Sequence, residues 1–198
     1  MKVVIVSGSP RPDSQTRRIA DVLAQELGEL ERDVDVEIID LHQTHLPLWQ
    51  PDASPHKDGQ AAAWAPISTK LAAADAFVIM TPEYHGQASP QIKNLLFLIG
   101  KEALRKPALL VSVSAGMGGA YPISDLRVSA FKNIRMWVMP DHLIFRKARS
   151  LFNDPDDEQS QSLRLRARRT LKLLCDTADA MAPVLAANED MMEYGNGM

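Results

Sequence analysis

Three stretches of the chain, "VVIV" at 3–6, "AFVIM" at 76–80 and "ALLV" at 108–111, are apolar at every position. A strand with one face in water alternates apolar and polar residues, so these three have to be covered on both faces. Helical patterns lie between them. Ile19, Val22, Leu23, Leu27 and Leu30, for example, recur at steps of three or four. Strands are predicted near residues 2–7, 34–39, 76–80, 108–113 and 137–139, the last with an extension through 142–145. Helices are predicted near 15–30, 61–73, 91–103, 120–134 and 158–186. In the last of these Leu163, Ala167, Leu171, Leu174, Ala178, Met181 and Leu185 form one apolar stripe.

Buried strands separated by helices imply a parallel sheet wrapped on both faces. Five such units in 198 residues predict an α/β, flavodoxin-like doubly wound five-stranded parallel sheet in the order 2-1-3-4-5. The first strand lacks the G-x-G-x-x-G turn of a dinucleotide-binding unit. With no internal repeat, residues 1–186 read as a single domain and 187–198 as a polar C-terminal tail that frays or packs on a neighbouring subunit. The Pro-containing polar stretch 42–66 reads as a surface excursion.

Composition narrows the function by exclusion. A formal net charge of −3 supplies no concentrated basic surface, so nucleic acid is not an expected partner. The run Arg164, Arg166, Arg168, Arg169 and Lys172 reads as a solvated helix face. Cys175 is the only cysteine and sits in an apolar helical pattern, as a core residue would. It allows no intramolecular disulfide and no cysteine metal cluster, no metal site is expected, and one thiol fits a reducing cytoplasm. No signal peptide is recognisable, and no segment approaches the ~20 apolar residues of a membrane span. The expected location is therefore cytoplasmic, without a membrane partner.

In an open parallel sheet ligands bind beyond the C-terminal strand ends, where the strand order switches. For the order above that point lies between strands 1 and 3, and three loops around it are unusual. After strand 1 come Ser9, Pro10, Arg11, Pro12, Asp13, Ser14, Gln15 and Thr16. Hydroxyls, a guanidinium and the free N–H groups of a helix start suit a phosphate; the same residues also make an ordinary Pro-rich turn with Ser14 as N-cap. After strand 3, Thr81, Pro82, Glu83, Tyr84, His85 and Gly86 place an aromatic, a carboxylate and an imidazole beside a planar ligand. After strand 4, Ser114, Ala115, Gly116, Met117, Gly118 and Gly119 let the backbone approach a ligand closely.

Taken jointly, these loops resemble the flavodoxin-like NAD(P)H-dependent FMN reductases, a family that includes related quinone, azo and chromate reductases. Its G-S-L-R-x-x-S-x-N phosphate loop is similar to Gly8-Ser9-Pro10-Arg11 with Ser14 and Thr16. Its T-P-E-Y-N loop corresponds to Thr81-Pro82-Glu83-Tyr84-His85, its K-N-A helix start to Lys93-Asn94, and its S-x-G-x-x-G-G loop to Ser114–Gly119. "LPLW" at 46–49 resembles the segment before the family's second helix, and the match spans roughly 2–153. Three positions depart from the pattern: Pro10 for Leu, Thr16 for Asn and His85 for Asn.

The resemblance implies FMN as cofactor and NADPH or NADH as co-substrate. Ser9, Pro10, Arg11, Ser14, Gln15 and Thr16 would hold the phosphate. Pro82, Glu83, Tyr84 and His85 would border the flavin ring, with Ser114, Gly116, Met117, Gly118 and Gly119 at its polar edge. A hydride would pass from nicotinamide to flavin, and electrons would then pass to a small-molecule acceptor: free flavin, a quinone, an azo compound or a metal oxyanion. Tyr84 and His85 are the candidates to protonate a quinone product. The family also implies a homodimer or homotetramer, with the apolar "IKNLLFLIG" stretch as interface. The alternatives are a flavodoxin-like electron carrier without nicotinamide activity and a flavin-free phosphatase or nucleotide-binding module. The arginine in the first loop argues against the former. The absence of a phosphatase cysteine and of a P-loop Gly-Lys argues against the latter.

Overall fold

In the computed structural model, which describes residues 1–50, 61–129 and 131–188, the unbroken apolar runs become the inner strands of one sheet. The strands are β1 (Lys2–Ser7), β2 (Asp35–Asp40), β3 (Ala76–Pro82), β4 (Pro107–Val113) and β5 (Trp137–Phe145). Their order is β2-β1-β3-β4-β5 and every pairing is parallel, as expected. All seven residues of β3 and of β4 are buried, whereas the edge strands β2 and β5 mix buried and accessible positions.

The helices are α1 (Gln15–Gly28), α2 (Ala61–Ala73), α3 (Pro90–Leu98), α4 (Ala120–Ser129) and α5 (Glu158–Ala186). Alternation along β1 divides the core in two. Val3 and Ile5 pack with Ile19 and Leu23 of α1 and Leu171 and Leu174 of α5. Val4 and Val6 pack with Leu71 of α2, Ile92 and Leu95 of α3 and Ile123 of α4. Each fully buried aliphatic side chain contributes about 1.5–3 kcal/mol. Helices thus cover both faces and leave the C-terminal strand ends to the loops.

Three helices stop short of their apolar pattern, α1 by only two residues, at Gly28 and not at 30. α3 ends at Leu98, not 103, because Gly100 donates its N–H to the Glu102 carboxylate at 2.7 Å and the chain folds into a turn. Ala103 and Leu104 stay buried, so the apolar spacing continues without the helix. α4 ends at Ser129, not 134. Arg135, at φ +50°, donates its N–H to Phe131 O at 2.9 Å, closing a left-handed turn over the buried Ile134. The two predicted pieces of the fifth strand form one strand with a register shift between Ala108 and Leu110 of its partner. Pro140 sits in that bulge, and Arg127 satisfies the exposed carbonyls of Met139 and Pro140 at 2.8 and 2.9 Å.

The basic run on α5 is more than a solvated face. Arg164 and Arg168 clamp Glu26 of α1, which is 1% exposed, at 2.7 and 2.8 Å. Cys175 is buried in the α1/α5 core, and burial pushes its thiol above the ordinary value. Among the described residues no helix is long and apolar enough to cross a membrane, and no cluster of His, Cys, Asp or Glu has the makings of a metal site. Residues 51–60 of the expected surface excursion and 189–198 of the expected tail lie outside the described residues.

Candidate functional site

The loop leaving β1 starts at a point of very close approach. Gly8 donates its N–H to Met80 O at 2.9 Å, and its own carbonyl accepts from Ser89 Oγ at 2.6 Å. A Cβ on Gly8 would lie 2.1 Å from Ile92 Cγ1 and 2.6 Å from Met80 O, so only glycine lets the chain turn here. Ser9 follows, 1% exposed, accepting from Arg11 N–H at 3.3 Å with the Tyr84 hydroxyl at 3.5 Å. Pro10 has no N–H to satisfy, and its carbonyl accepts a bond from His42 Nδ1 at 2.9 Å.

Ser14 caps α1 as expected, accepting from Arg17 N–H at 3.0 Å. The N–H groups of Gln15 and Thr16 precede the first intrahelical bond and point out of the helix end. Thr16 is 2% exposed, and its hydroxyl makes no hydrogen bond among the described residues. Between this loop and the end of β3 lies a cleft of about 440 Å³. Ser9, Arg11, Ser14, Gln15 and Thr16 form one wall; Pro82, Glu83 and Tyr84 form the opposite one.

Cations around the cleft divide into engaged and unengaged. Arg17 is held by Asp21 and Asp40; the Asp21 hydrogen bond is the main cause of its raised pKa. Arg18 donates to Gln15 Oε1 at 2.8 Å, to Leu151 O at 2.8 Å and to Ala148 O, and burial lowers its pKa. The guanidinium of Arg11 has no partner among the described residues, and neither does that of Arg149, a second arginine lining the cleft. Ala115, from the glycine-rich loop, lines the cleft as well, but sequence reasoning missed Val113 and Arg149. Arg149 follows the fifth strand, in "FRKARS", where no motif marks it.

The wall formed by the β3 loop is bound to the β4 loop. Glu83 Oε2 accepts from Gly119 N–H at 2.7 Å and from Ser114 Oγ at 3.2 Å. Arg146 Nε donates to Met117 O at 2.8 Å and Gly118 O at 2.9 Å. A Cβ on Gly118 would lie 2.0 Å from Glu83 Oε2, so that glycine makes room for a carboxylate of the protein itself. Gly116, Met117 and Gly118 form the exposed outer turn.

His85 (φ +51°) and Gly86 (φ +73°) are the central pair of a tight turn closed by two bonds between Tyr84 and Gln87, at 3.1 and 2.9 Å. Both central residues are left-handed, the signature of a type I′ turn. His85 therefore faces a neighbouring groove of about 450 Å³ with Leu48, Trp49, Lys93 and Phe97. There the Trp49 and Phe97 rings stack at 4.9 Å, Phe97 is 62% exposed, and Asn94 fixes the Trp49 N–H at 2.8 Å. Lys93 pairs with Asp125 at 2.8 Å.

Residues 1–150 match the family model described as NADPH-dependent FMN reductase. An NADPH azoreductase from Bacillus sp. (strain OY1-2) is 33% identical over 131 residues, 65% of this chain and 68% of that protein. An FMN-dependent NADPH-azoreductase from Staphylococcus haemolyticus is 36% identical over 132 residues, with the same two coverages. Among solved structures, a flavoenzyme NAD(P)H:(acceptor) oxidoreductase from Paracoccus denitrificans superposes with a TM-score of 0.69 at 22% identity, covering 88% of this chain and 97% of that one.

Proposed function

Because the chain belongs to the NADPH-dependent FMN reductase family, we propose that the cleft beside α1 is where this FMN-dependent NAD(P)H oxidoreductase holds its flavin. The carrying observation is the donor set. Arg11, Ser14, Gln15 and the nearly buried, unpartnered Thr16 converge at a helix N-terminus, and the first turn adds its partial positive charge. Those groups would hold the phosphate, and Pro82, Glu83 and Tyr84 would face the ring. Ser114 and Gly119 would support the site through Glu83, with Gly116, Met117 and Gly118 at its outer edge, and Pro10 through its tie to His42. FMN, when bound, supplies the chemistry of hydride acceptance from NAD(P)H and electron delivery to an acceptor. The protein contributes binding, orientation and exclusion of water. Residues 1–186 are read as one such domain.

The acceptor is a small molecule, and azo compounds are the first to assay because the named relatives act as azoreductases. We further read the chain as a homo-oligomer joined through the exposed Leu48, Trp49 and Phe97. Phe97→Asp should then lower the mass measured by light scattering. A cytoplasmic setting fits the single buried thiol of Cys175.

The decisive experiment is an absorbance spectrum of the purified protein with and without NADPH, in the absence of oxygen. A yellow protein that bleaches on mixing is expected. A yellow protein that NADPH leaves unbleached would instead be an electron carrier. A colourless protein that takes up no FMN would remove the reading altogether.

A further inference from the structure

We propose that Arg149 is a second phosphate-binding arginine of the flavin cleft, positioned by Arg18, so that the phosphate is gripped between guanidiniums from two different loops. This rests on reading the cleft as the FMN site. Arg149 lines the same cleft as Arg11, Ser14 and Thr16, and its guanidinium has no partner among the described residues. Neighbouring cations are not available in this way. Arg17 is committed to Asp21 and Asp40, Arg18 to main-chain carbonyls, and Arg146 to the carbonyls of Met117 and Gly118.

The backbone under Arg149 is pinned from three directions. Arg18, one turn into α1, donates to the carbonyls on either side, Ala148 O and Leu151 O. Ala148 N–H donates to Ser114 O at 3.1 Å, and Lys147 N–H donates to Gly116 O at 2.8 Å. Asn153 Nδ2 donates to Arg149 O itself at 2.9 Å. The helix whose N-terminus faces the cleft therefore also fixes the register of Arg149 against it. Ala148, next in the chain, is wholly buried, while the Arg149 side chain stays accessible to a ligand.

Charge balance points the same way. A phosphate monoester has its second pKa near 6 and carries about −1.5 to −2 at pH 7. Arg11 and the helix end would match only part of that charge. The acids on the cleft are Asp13, on the same loop as Arg11, and Glu83, already accepting from Gly119 and Ser114. A second guanidinium completes the match, and its planar fork can take two oxygens at once.

The test is a fluorescence titration of the full-length protein, stripped of flavin, with FMN and separately with riboflavin, which lacks the phosphate. Arg149→Met should weaken FMN binding about 10- to 100-fold and leave riboflavin binding unchanged. Arg149→Lys should recover only part of the loss, and the salt dependence of FMN binding should flatten in the methionine variant. Arg18→Met should weaken FMN in the wild-type background and add little on top of Arg149→Met, with folding checked by circular dichroism. If Arg149→Met keeps full FMN affinity while Arg11→Met loses it, the proposal is overturned and the reading of the cleft stands. Equal loss of FMN and riboflavin would also overturn it, since Arg149 would then be acting on the fold. A wild-type protein that binds FMN no better than riboflavin would sink the reading of the cleft itself.

Discussion

The loops after β1 and β4 leave the same edge of the sheet, and both are built from glycine, serine and free backbone N–H groups. They use those groups in opposite ways. In the β1 loop the Thr16 hydroxyl, the Arg11 guanidinium and the N–H groups of Gln15 and Thr16 have no partner among the described residues, and these residues line a cleft. In the β4 loop Ser114 and Gly119 donate to Glu83, and the carbonyls of Met117 and Gly118 accept from Arg146. One loop is kept open for a ligand; the other is clamped so that a wall holds its shape. Composition does not distinguish the two cases, because a glycine that admits a ligand and one that admits a neighbouring carboxylate look alike in a sequence.

The largest effect should come from closing the open loop at its root. Gly8→Ala puts a Cβ 2.1 Å from Ile92 Cγ1 and 2.6 Å from a main-chain oxygen that cannot move without displacing β3. The expected loss is about 3 kcal/mol in urea unfolding. If Gly8→Ala folds at wild-type stability, the close approach that shapes this loop is not real.

Next is the clamp. Glu83→Ala strips two charge-assisted bonds at once and should cost about 1.5–3 kcal/mol. Glu83→Gln keeps a carbonyl acceptor and should recover about half of that. Arg11→Met, by contrast, should leave stability within about 0.5 kcal/mol and weaken only the binding of FMN. Paired measurements of unfolding and flavin affinity separate the walls: one variant moves mainly the first quantity, the other only the second. The comparison breaks if Arg11→Met destabilises the apoprotein as much as Glu83→Ala does.

What could be read in advance follows the same physical division. The strand order was legible because β1, β3 and β4 are apolar at nearly every position, a pattern that only a two-sided burial produces. Ser14 was legible as a cap, since capping is local. The ends of α3 and α4 were not, because Ala103 and Ile134 continue the apolar spacing beyond the helices, in turns that Glu102 and the left-handed Arg135 close. Arg149 was invisible for a different reason. Its placement depends on Arg18, more than a hundred residues earlier in the chain, and neither residue belongs to a motif. The same long separation hid the clamp of Arg164 and Arg168 on Glu26.

A smaller effect concerns the segment that joins the two walls. Asp125 of α4 accepts from Ala88 N–H at 3.0 Å and pairs with Lys93, holding the residues after the Tyr84–Gln87 turn. Partial burial pulls its carboxyl up, but the Lys93 ammonium and the Ala88 N–H outweigh this and hold it below the ordinary 3.8. A depressed folded-state pKa contributes stability that is present above the unfolded value and lost as pH falls through the folded one. Unfolding free energy should therefore drop below about pH 4, and Asp125→Asn should flatten that acid limb. A variant whose acid limb is as steep as that of the wild type would remove Asp125 as a contributor and leave the limb to Glu37, Asp157 and Asp176, whose carboxyls are also held below their ordinary values.

The smallest effect is expected at His85, and it is the sharpest test of where the cleft ends. His85 occupies the first left-handed position of a type I′ turn, with Gly86 in the second, and after glycine asparagine is the residue that best tolerates that conformation. His85→Asn should raise stability by about 0.5 kcal/mol or less. Because the imidazole lines the Trp49–Phe97 groove and not the cleft, FMN affinity should be unchanged. The pH profile of quinone reduction decides whether the ring also handles protons: an unchanged profile removes His85 as a donor. A fall in FMN affinity would place the imidazole against the flavin and erase the boundary between the two pockets.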